Sequence, residues 1–329
     1  MVSITDVAAQ AGVAISTVSK VLNGYPNISE ATKKKVNEAA VKLHYVPNTI
    51  ASALSSKRSG RIALIMNLIT QTQAIDEIDM QYLTGAIDQA GECKLDVIPI
   101  FFSMIEHMSL QDLITYLHSQ NVEGVILYGL TRDEDVLHEF IASGFCKCVI
   151  VDAPLSGEGV SSLWIDQEKA QYEVAEAALQ GSEVSRVLYL AGKENGYVTA
   201  PRIEGIRRLC KDRNLTLQVM CGQFSERTAR ELTLQYGKEY DLIACASDLM
   251  AIGAMRALSE MDIYHPVCGF DGITLMGYVG KQMYTVAQDF YRISREAVKE
   301  LVRLREGGQG RNMVLDHRLT RMKYEDVIS

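Results

Sequence analysis

The chain has 329 residues with 33 Lys+Arg against 41 Asp+Glu, a formal charge of −8, 47% hydrophobic and 22% charged residues. That composition excludes a disordered chain, a collagen-like chain and a coiled-coil rod, and the length suggests two or three domains with cores of their own. An acidic total argues against nucleic acid, but it hides an asymmetry. Residues 1–60 hold seven basic and three acidic groups, a surplus of +4, and the rest holds 26 basic and 38 acidic, a deficit of −12. A basic head thus precedes an acidic body.

The N-terminus shows no basic stretch followed by an apolar one, so no secretory signal is expected. No apolar run approaches the roughly 18 residues of a membrane span, so no membrane partner is expected. The seven cysteines are scattered, several in apolar runs, and read as small core residues of a reduced, cytoplasmic protein.

The pattern predicts a short helix over 3–12, with Ser3 as N-cap, Asp6 three residues on, and Gly12 after its end. Ile4, Val7, Ala8 and Ala11 recur at helical spacing. A second helix is predicted over 15–22, with Val18, Val21 and Leu22 on one face, and Asn23-Gly24 stops it. A third starts near Ser29 and carries Val36, Ala39, Ala40 and Leu43 inward. Two short helices joined by a tight turn and braced by a third form a helix-turn-helix arrangement. The outer face of the second helix carries Ile15, Ser16, Ser19 and Lys20. Ile15 suits a thymine methyl, Ser16 a base edge or phosphate, and Lys20 a guanine or phosphate. The alternative is a small helical bundle with a solvated face.

From residue 61 the pattern changes to β-rich runs at 62–66, 97–101, 125–128, 148–152, 187–191, 242–246 and 267–271. Helical stretches lie between them, near 77–90, 109–119, 133–143, 167–180, 200–213, 225–236 and 248–261. The alternation argues for a doubly wound parallel sheet, and its length for two lobes. Ligands in such folds bind at the carboxyl ends of strands, and an interlobe cleft is a natural site.

The residues of the head then carry a resemblance. Ile4-Thr5-Asp6-Val7-Ala8, Ala11-Gly12-Val13, Thr17-Val18-Ser19, Val21-Leu22-Asn23, Ile28-Ser29 and Leu43-His44-Tyr45-Val46-Pro47-Asn48 closely resemble the head of the LacI/GalR family of bacterial repressors. The chain departs from it at Ala14, where the family usually has Ser, so the second helix lacks a side-chain N-cap there, at a cost of about 1 kcal/mol. The resemblance adds Thr5, Thr17 and Asn23 to the candidate DNA contacts. Residues 48–57 look like the family's hinge segment, with Asn48 as a cap and Ala51 and Leu54 on one face. By resemblance, two hinges fold together on palindromic operator DNA in a homodimer, Leu54 is a minor-groove wedge, and Lys57 is a further contact.

More weakly, the body resembles the family's effector-binding core, which is related to periplasmic sugar-binding proteins. The carrying segments are Ile150-Val151-Asp152, Val160 to Asp166 with the single Trp164, Arg202-x-x-Gly205, Ser247-Asp248-x-x-Ala251-x-Gly253, Gly269-Phe270-Asp271 and Thr285 to Asp289. The implied fold is an all-α helix-turn-helix DNA-binding domain at 1–47, a hinge at 48–60 and an α/β periplasmic-binding-protein-like core at 61–329. That core holds two doubly wound parallel-sheet lobes, one about 61–160 with 290–318, the other about 161–289 with 319–329. Asp152 and Asp271 are carboxylates suited to hydroxyls, and Arg202 is a rigid fork for vicinal oxygens. Phe224 and Trp164 are candidate aromatic covers, with Ser247, Asp248 and Gln288 completing the candidate set. Asp248 has an alternative role as a helix cap. The segments 66–76 and 261–269 depart from the family pattern and leave their part of the pocket idiosyncratic.

The expected function is a transcriptional regulator, a repressor by resemblance, controlled by a small-molecule effector of sugar type. A solute-binding protein fits the body but not the head. An enzyme would need a paired-carboxylate or nucleophile constellation, and no Gly-x-Ser-x-Gly or His-Glu-x-x-His motif occurs. Cys146-Lys147-Cys148 lacks a second ligand pair, and no metal or cofactor is expected.

Overall fold

The computed structural model describes residues 3–22, 28–43, 60–67 and 77–321. The chain divides into two compact units, 1–59 and 60–329. The hinge positions Asn48, Ala51, Leu54 and Lys57, the turn residue Asn23, and most of segment 66–76 lie outside the described residues.

The first unit contains α1 (Ile4–Ala11), α2 (Ile15–Leu22) and α3 (Glu30–Lys42). Ser3 caps α1 through a reciprocal pair. Its Oγ accepts from the Asp6 amide at 3.3 Å, and its own amide donates to the Asp6 carboxylate at 2.8 Å. Gly12 closes the helix in the left-handed region at φ 66°. Ser29 caps α3 by accepting from the Thr32 amide at 3.3 Å. Val7 and Ala8 of α1, Val18 of α2, and Val36 and Ala39 of α3 form the buried core. Burying a valine stabilises by roughly 1.5–3 kcal/mol, so three of them at the crossing of three helices fix the arrangement.

The second unit contains two six-stranded sheets. The first runs β11-β5-β4-β3-β1-β2, built from β1 (Arg61–Met66), β2 (Asp96–Phe101), β3 (Val122–Tyr128), β4 (Lys147–Val151), β5 (Val160–Ile165) and β11 (Asn312–Leu315), all parallel. Around it lie α4 (Glu77–Glu92), α5 (Phe102–Ile105), α6 (Leu110–Ser119), α7 (Asp135–Ser143) and α12 (Phe290–Arg305). The second runs β12-β10-β9-β8-β6-β7, from β6 (Arg186–Ala191), β7 (Thr216–Cys221), β8 (Leu242–Cys245), β9 (Val267–Cys268), β10 (Tyr284–Ala287) and β12 (Arg318–Arg321). Its helices are α8 (Gln167–Ala178), α9 (Thr199–Asp212), α10 (Glu226–Tyr236) and α11 (Asp248–Glu260). β12 pairs antiparallel with β10, so this sheet is parallel except at that edge.

One detail corrects the expected lobe limits. β5 pairs with β4 as far as Leu163 and with β11 as far as Ile165, so the first lobe continues past residue 160 and the chain crosses after Ile165. The inner strands β1, β3 and β4 are apolar over Ile62–Met66, Val125–Tyr128 and Cys148–Val151 because both faces of a parallel sheet are covered. Gly205 explains the Arg-x-x-Gly spacing. A Cβ there would lie 2.2 Å from the Glu168 carbonyl of α8, so only glycine lets α9 pack that closely.

The edge strand β11 is pinned by charge. Arg311 donates to the buried Glu300 carboxylate at 2.7 and 3.1 Å, and Arg303 and Ser161 bond to the same group. Burial pushes the Glu300 carboxyl up, but these donors outweigh it and hold it down at about 2. No helix among the described residues is long and apolar enough to cross a membrane.

Candidate functional site

On the first unit, the outer face of α2 is available for contact. Ile15 is 47% exposed, Ser16 and Lys20 are exposed, Thr17 and Ser19 are half-buried, and Thr5 of α1 is exposed. α2 has no side-chain oxygen at Ala14, whose carbonyl accepts from the Thr17 and Val18 amides at 2.9 and 3.1 Å. The first turn thus has no side-chain cap for the amides ahead of Thr17, the situation in which a helix N-terminus accommodates a phosphate.

In the second unit a cavity of about 260 Å³ opens between the lobes. It sits at the carboxyl ends of β3 and β4 in one sheet and of β6, β9 and β10 in the other, where the strand orders reverse and the flanking loops diverge. Asp152, Arg202, Phe224, Asp271 and Gln288 all line it, five of the residues expected from sequence. A wider open groove of about 750 Å³ between α7 and the 153–160 loop gathers neither a carboxylate pair nor both lobes.

The polar centre is a continuous network. Tyr82 donates to Asp152 Oδ2 at 3.3 Å and the Gln167 amide donates to Asp152 Oδ1 at 3.2 Å. Arg202 Nε donates to Gln167 Oε1 at 2.8 Å and Nη1 to the Ala246 carbonyl at 2.5 Å. Nη1 also lies 3.9 Å from Asp271 Oδ1, and the guanidinium carbon stands 3.7 Å from the centre of the Phe270 ring. Gln288 Nε2 donates to Asp271 Oδ1 at 3.1 Å.

Arg202 lines the cavity already partly engaged. Two of its nitrogens are engaged by the protein, so its fork does not meet a ligand whole. It bonds Gln167, stands beside Asp271, and keeps its other guanidinium N–H groups for a ligand.

Burial raises the Asp152 carboxyl, and Arg202, Tyr82 and Gln167 pull it back without cancelling the rise. Burial also raises Asp271, Arg202 and the Gln288 amide lower it, the Asp152 charge raises it again, and it stands at about 7. Two carboxyls that share one cation in a buried site resist being ionised together. The pair favours a ligand that brings hydrogen-bond donors and no negative charge.

The backbone is strained at this place. Among the described residues eight that are not glycine have positive φ, and three of them, Asp152 at 62°, Phe224 at 56° and Asp271 at 116°, line this one cavity. Such conformations cost of order 1–3 kcal/mol each and persist where function demands them. Phe224 is held against the backbone at Gly192, where a Cβ would stand 2.0 Å from its ring.

Three of the candidates stand outside the cavity lining. Trp164 does not line the cavity. It lies half-buried on β5, paired with Val314 of β11, while its neighbours Leu163 and Ile165 fill the core. Ser247 is the N-cap of α11, accepting from the Met250 amide at 3.4 Å. Asp248 is wholly buried and neither lines the cavity nor caps the helix. Its carboxylate accepts from the Gly272 and Ile273 amides at 2.7 and 2.9 Å and from Thr285 at 2.6 Å. Burial, with the Asp271 charge, raises it well above the ordinary carboxylate range. Its role is to shape the turn that presents Asp271.

The sequence reading missed Asn67, Asp79, Tyr82, Tyr128, Lys193, Asn195 and Phe290, which also line the cavity. Tyr82 stacks on Tyr128 at 4.5 Å and meets Phe290 edge-on at 5.2 Å, which gives the first lobe an aromatic wall.

A three-helix head and a two-lobed α/β core with an interlobe cavity, in one chain, define a regulator that pairs a helix-turn-helix with a solute-binding core. The comparisons agree. Residues 3–48 match the bacterial regulatory proteins of the lacI family, and residues 81–270 match the periplasmic binding proteins and sugar binding domain of the LacI family. The chain belongs to the LacI family and is a DNA-binding transcriptional regulator. It is 27% identical over 328 residues to catabolite control protein A of Staphylococcus aureus, covering 97% of each chain. It is 26% identical over 329 residues to the HTH-type transcriptional regulator RegA of Clostridium saccharobutylicum, covering 96% of this chain and 97% of RegA. Among solved structures it resembles a complex of the transcriptional regulator CelR with cellobiose (TM-score 0.69, 26% identity, 97% and 98% of the two chains). It shares its fold with the lac repressor dimer bound to operator and the anti-inducer ONPF (TM-score 0.79, 24% identity, 98% and 99% of the two chains).

Proposed function

We propose that the protein is a homodimeric repressor whose affinity for a palindromic operator is set by a neutral, hydroxyl-rich effector, of sugar type, in the interlobe cavity. The observation that carries this reading is the paired carboxyls Asp152 and Asp271, held around one partly engaged arginine at the carboxyl ends of strands from both lobes. Relatives point the same way: CelR is described with cellobiose, and the lac repressor with operator and an anti-inducer. Ile15, Ser16, Ser19 and Lys20 read base edges, while Thr5, Thr17 and Asn23 position the head on phosphates. The hinge at 48–57, with Asn48, Ala51 and Lys57 around the Leu54 wedge, enters the minor groove.

A second copy suits the exposed face of α4. Met80, Thr84, Ile87 and Gly91 are exposed at i, i+4, i+7 and i+11, one uncharged stripe on a helix whose opposite face is packed on the lobe. Two such stripes meeting about a twofold axis place two heads on the two half-sites of a palindrome. Ligand that ties the lobes together changes the spacing of the heads and thereby biases operator affinity.

A gel-shift titration on the DNA upstream of its own gene tests this reading. A sequence-specific shift that weakens with salt is expected, and so is a change in affinity with a neutral sugar. Absence of any specific complex, with or without sugars, would overturn the reading.

A further inference from the structure

We propose that Asn195 ties effector recognition to closure of the two lobes: its amide nitrogen latches the second lobe to Asp133 of the first, and its amide oxygen accepts a hydroxyl of the ligand. The ligand half of this assignment rests on the cavity being the effector site; the latch does not.

The loops after β3 and β6 meet directly across the cleft. Thr131 and Gly196 form an antiparallel bridge. The Arg132 amide donates to the Asn195 carbonyl at 2.9 Å, and Arg132 Nη1 donates to the Gly196 carbonyl at 2.9 Å. Arg132 also lies over the Tyr197 ring at 4.6 Å. Onto this backbone clasp Asn195 adds a side-chain bond to the Asp133 carboxylate. Nδ2 donates to both oxygens of Asp133, at 2.7 and 2.8 Å.

The orientation of that amide follows from charge. An amide oxygen turned toward a carboxylate would be repelled, so the NH2 end faces Asp133 and the oxygen faces away. Asn195 lines the cavity, and its Oδ1 is buried with no hydrogen-bond partner. Gln288, across the same cavity, also has a buried Oε1 with no partner. Two such acceptors beside the carboxyls of Asp152 and Asp271 ask for a donor-rich ligand. A hydroxyl given to Asn195 Oδ1 reaches an amide already fixed to the other lobe. The ligand therefore gains this bond fully only when the lobes are closed, and a contact that differs between two states is what shifts their balance.

A second link between lobes runs from Glu77 to Thr274, whose amide and hydroxyl donate at 2.8 and 2.6 Å. Neither residue lines the cavity. Asn195 thus touches both the latch and the cavity from the second lobe, facing Thr131 of the first, which lines the same cavity and donates to the same Asp133 carboxylate.

The test uses the full chain and reads hydrogen exchange at the Arg132 amide, whose acceptor is the Asn195 carbonyl. Asn195→Ala leaves that carbonyl in place, and exchange at Arg132 should still quicken about tenfold as the clasp opens. Asn195→Asp should do the same by setting two carboxylates face to face. Combining Asn195→Asp with Asp133→Asn restores a donor opposite an acceptor with the polarity reversed, and exchange should return to within about twofold of the unaltered chain. A merely local packing role predicts no such rescue. Unchanged exchange in Asn195→Ala, or failure of the double swap to restore it, overturns the latch.

The ligand contact is read by thermal shift with glucose, galactose, ribose and cellobiose. The sugar that most raises the unaltered chain should lose most of its effect in Asn195→Ala and keep it in the double swap. Equal shifts in the unaltered chain and Asn195→Ala overturn the ligand contact. If none of the four shifts the unaltered chain, the sugar-effector reading falls, the ligand contact with it, and the exchange result judges the latch by itself.

Discussion

The head and the core place their chemistry on opposite sides of their own packing. The head holds Val7, Ala8, Val18, Val36 and Ala39 inside and leaves Ile15, Ser16 and Lys20 outside, so the surface proposed to read DNA takes no part in its core. The core buries the groups that would read a ligand. Asp152 is joined to Arg202 through Gln167, Arg202 bonds the Ala246 carbonyl and stands 3.9 Å from Asp271, and Gln288 donates to Asp271. Recognition and folding are therefore separable in the head and coupled in the core. Substitution in the core should cost stability together with response, while substitution on α2 should cost affinity alone.

The largest effect expected is that of Arg202→Ala. It leaves Asp152 and Asp271 buried without their cation and strands Gln167 Oε1 and the Ala246 carbonyl. Removing one partner of a buried charged pair costs about 3–5 kcal/mol. Urea unfolding of the second unit should show a loss of that order, together with loss of any effector response. A variant that keeps full stability and loses only the response would break the comparison, because Arg202 would then act only on the ligand.

The same contrast explains what could be read from the residues. The head's core repeats at helical spacing within about 40 residues, and its caps Ser3 and Ser29 and the stop at Gly12 stand at the helix ends. The β-rich runs announced β1, β3, β4, β6 and β8 because a buried parallel strand is apolar throughout. The cavity was legible only where it reuses a segment the family carries, as at Asp152, Arg202 and Asp271. Tyr82, Tyr128 and Phe290 sit at apolar positions of ordinary elements, and nothing local distinguishes a wall of a cavity from the core behind it. Asn195 lies in a loop whose partner, Asp133, is 62 residues away, a pairing that only the topology creates. Trp164 reads as a candidate because a lone Trp suggests a sugar platform, whereas it stands on β5 beside Val314 and outside the cavity lining.

Asp271→Asn gives the next effect and sharpens the coupling through pH. The folded carboxyl stands at about 7, above the ordinary unfolded value near 4, so between those limits the folded chain binds more protons than the unfolded one. Its contribution to stability is fully present below about pH 4 and is lost as pH rises through 7. Asp271→Asn removes the ionisation at similar volume. It should raise stability at pH 8 by about 1–3 kcal/mol and flatten the pH dependence between 4 and 7. Thermal melts from pH 4 to 8 check this, and a parallel pH slope in both proteins would place the titration elsewhere. The variant should also lose response to neutral sugars, which makes it a case of function held at a cost to stability.

The smallest effect on the fold is expected on α2. Lys20 is exposed on a helix whose only fully buried side chain is Val18, so Lys20→Ala should change stability by no more than about 0.5 kcal/mol. What it should change is binding, and the way it does so decides the residue's role. If Lys20 meets a phosphate, operator and random DNA weaken together and the salt slope falls by about one. If it meets guanine acceptors, operator binding alone weakens, by about 1–3 kcal/mol, and one position of the site loses its base preference. Its place on the outer face, one turn beyond Ser16 and beside the half-buried Ser19, brings it toward base edges, so the second pattern is expected. Gel-shift titrations on operator and random duplexes at two salt concentrations separate the patterns. A measured loss of stability comparable to that of Arg202→Ala would erase the distinction between a head that reads from its surface and a core that reads from within.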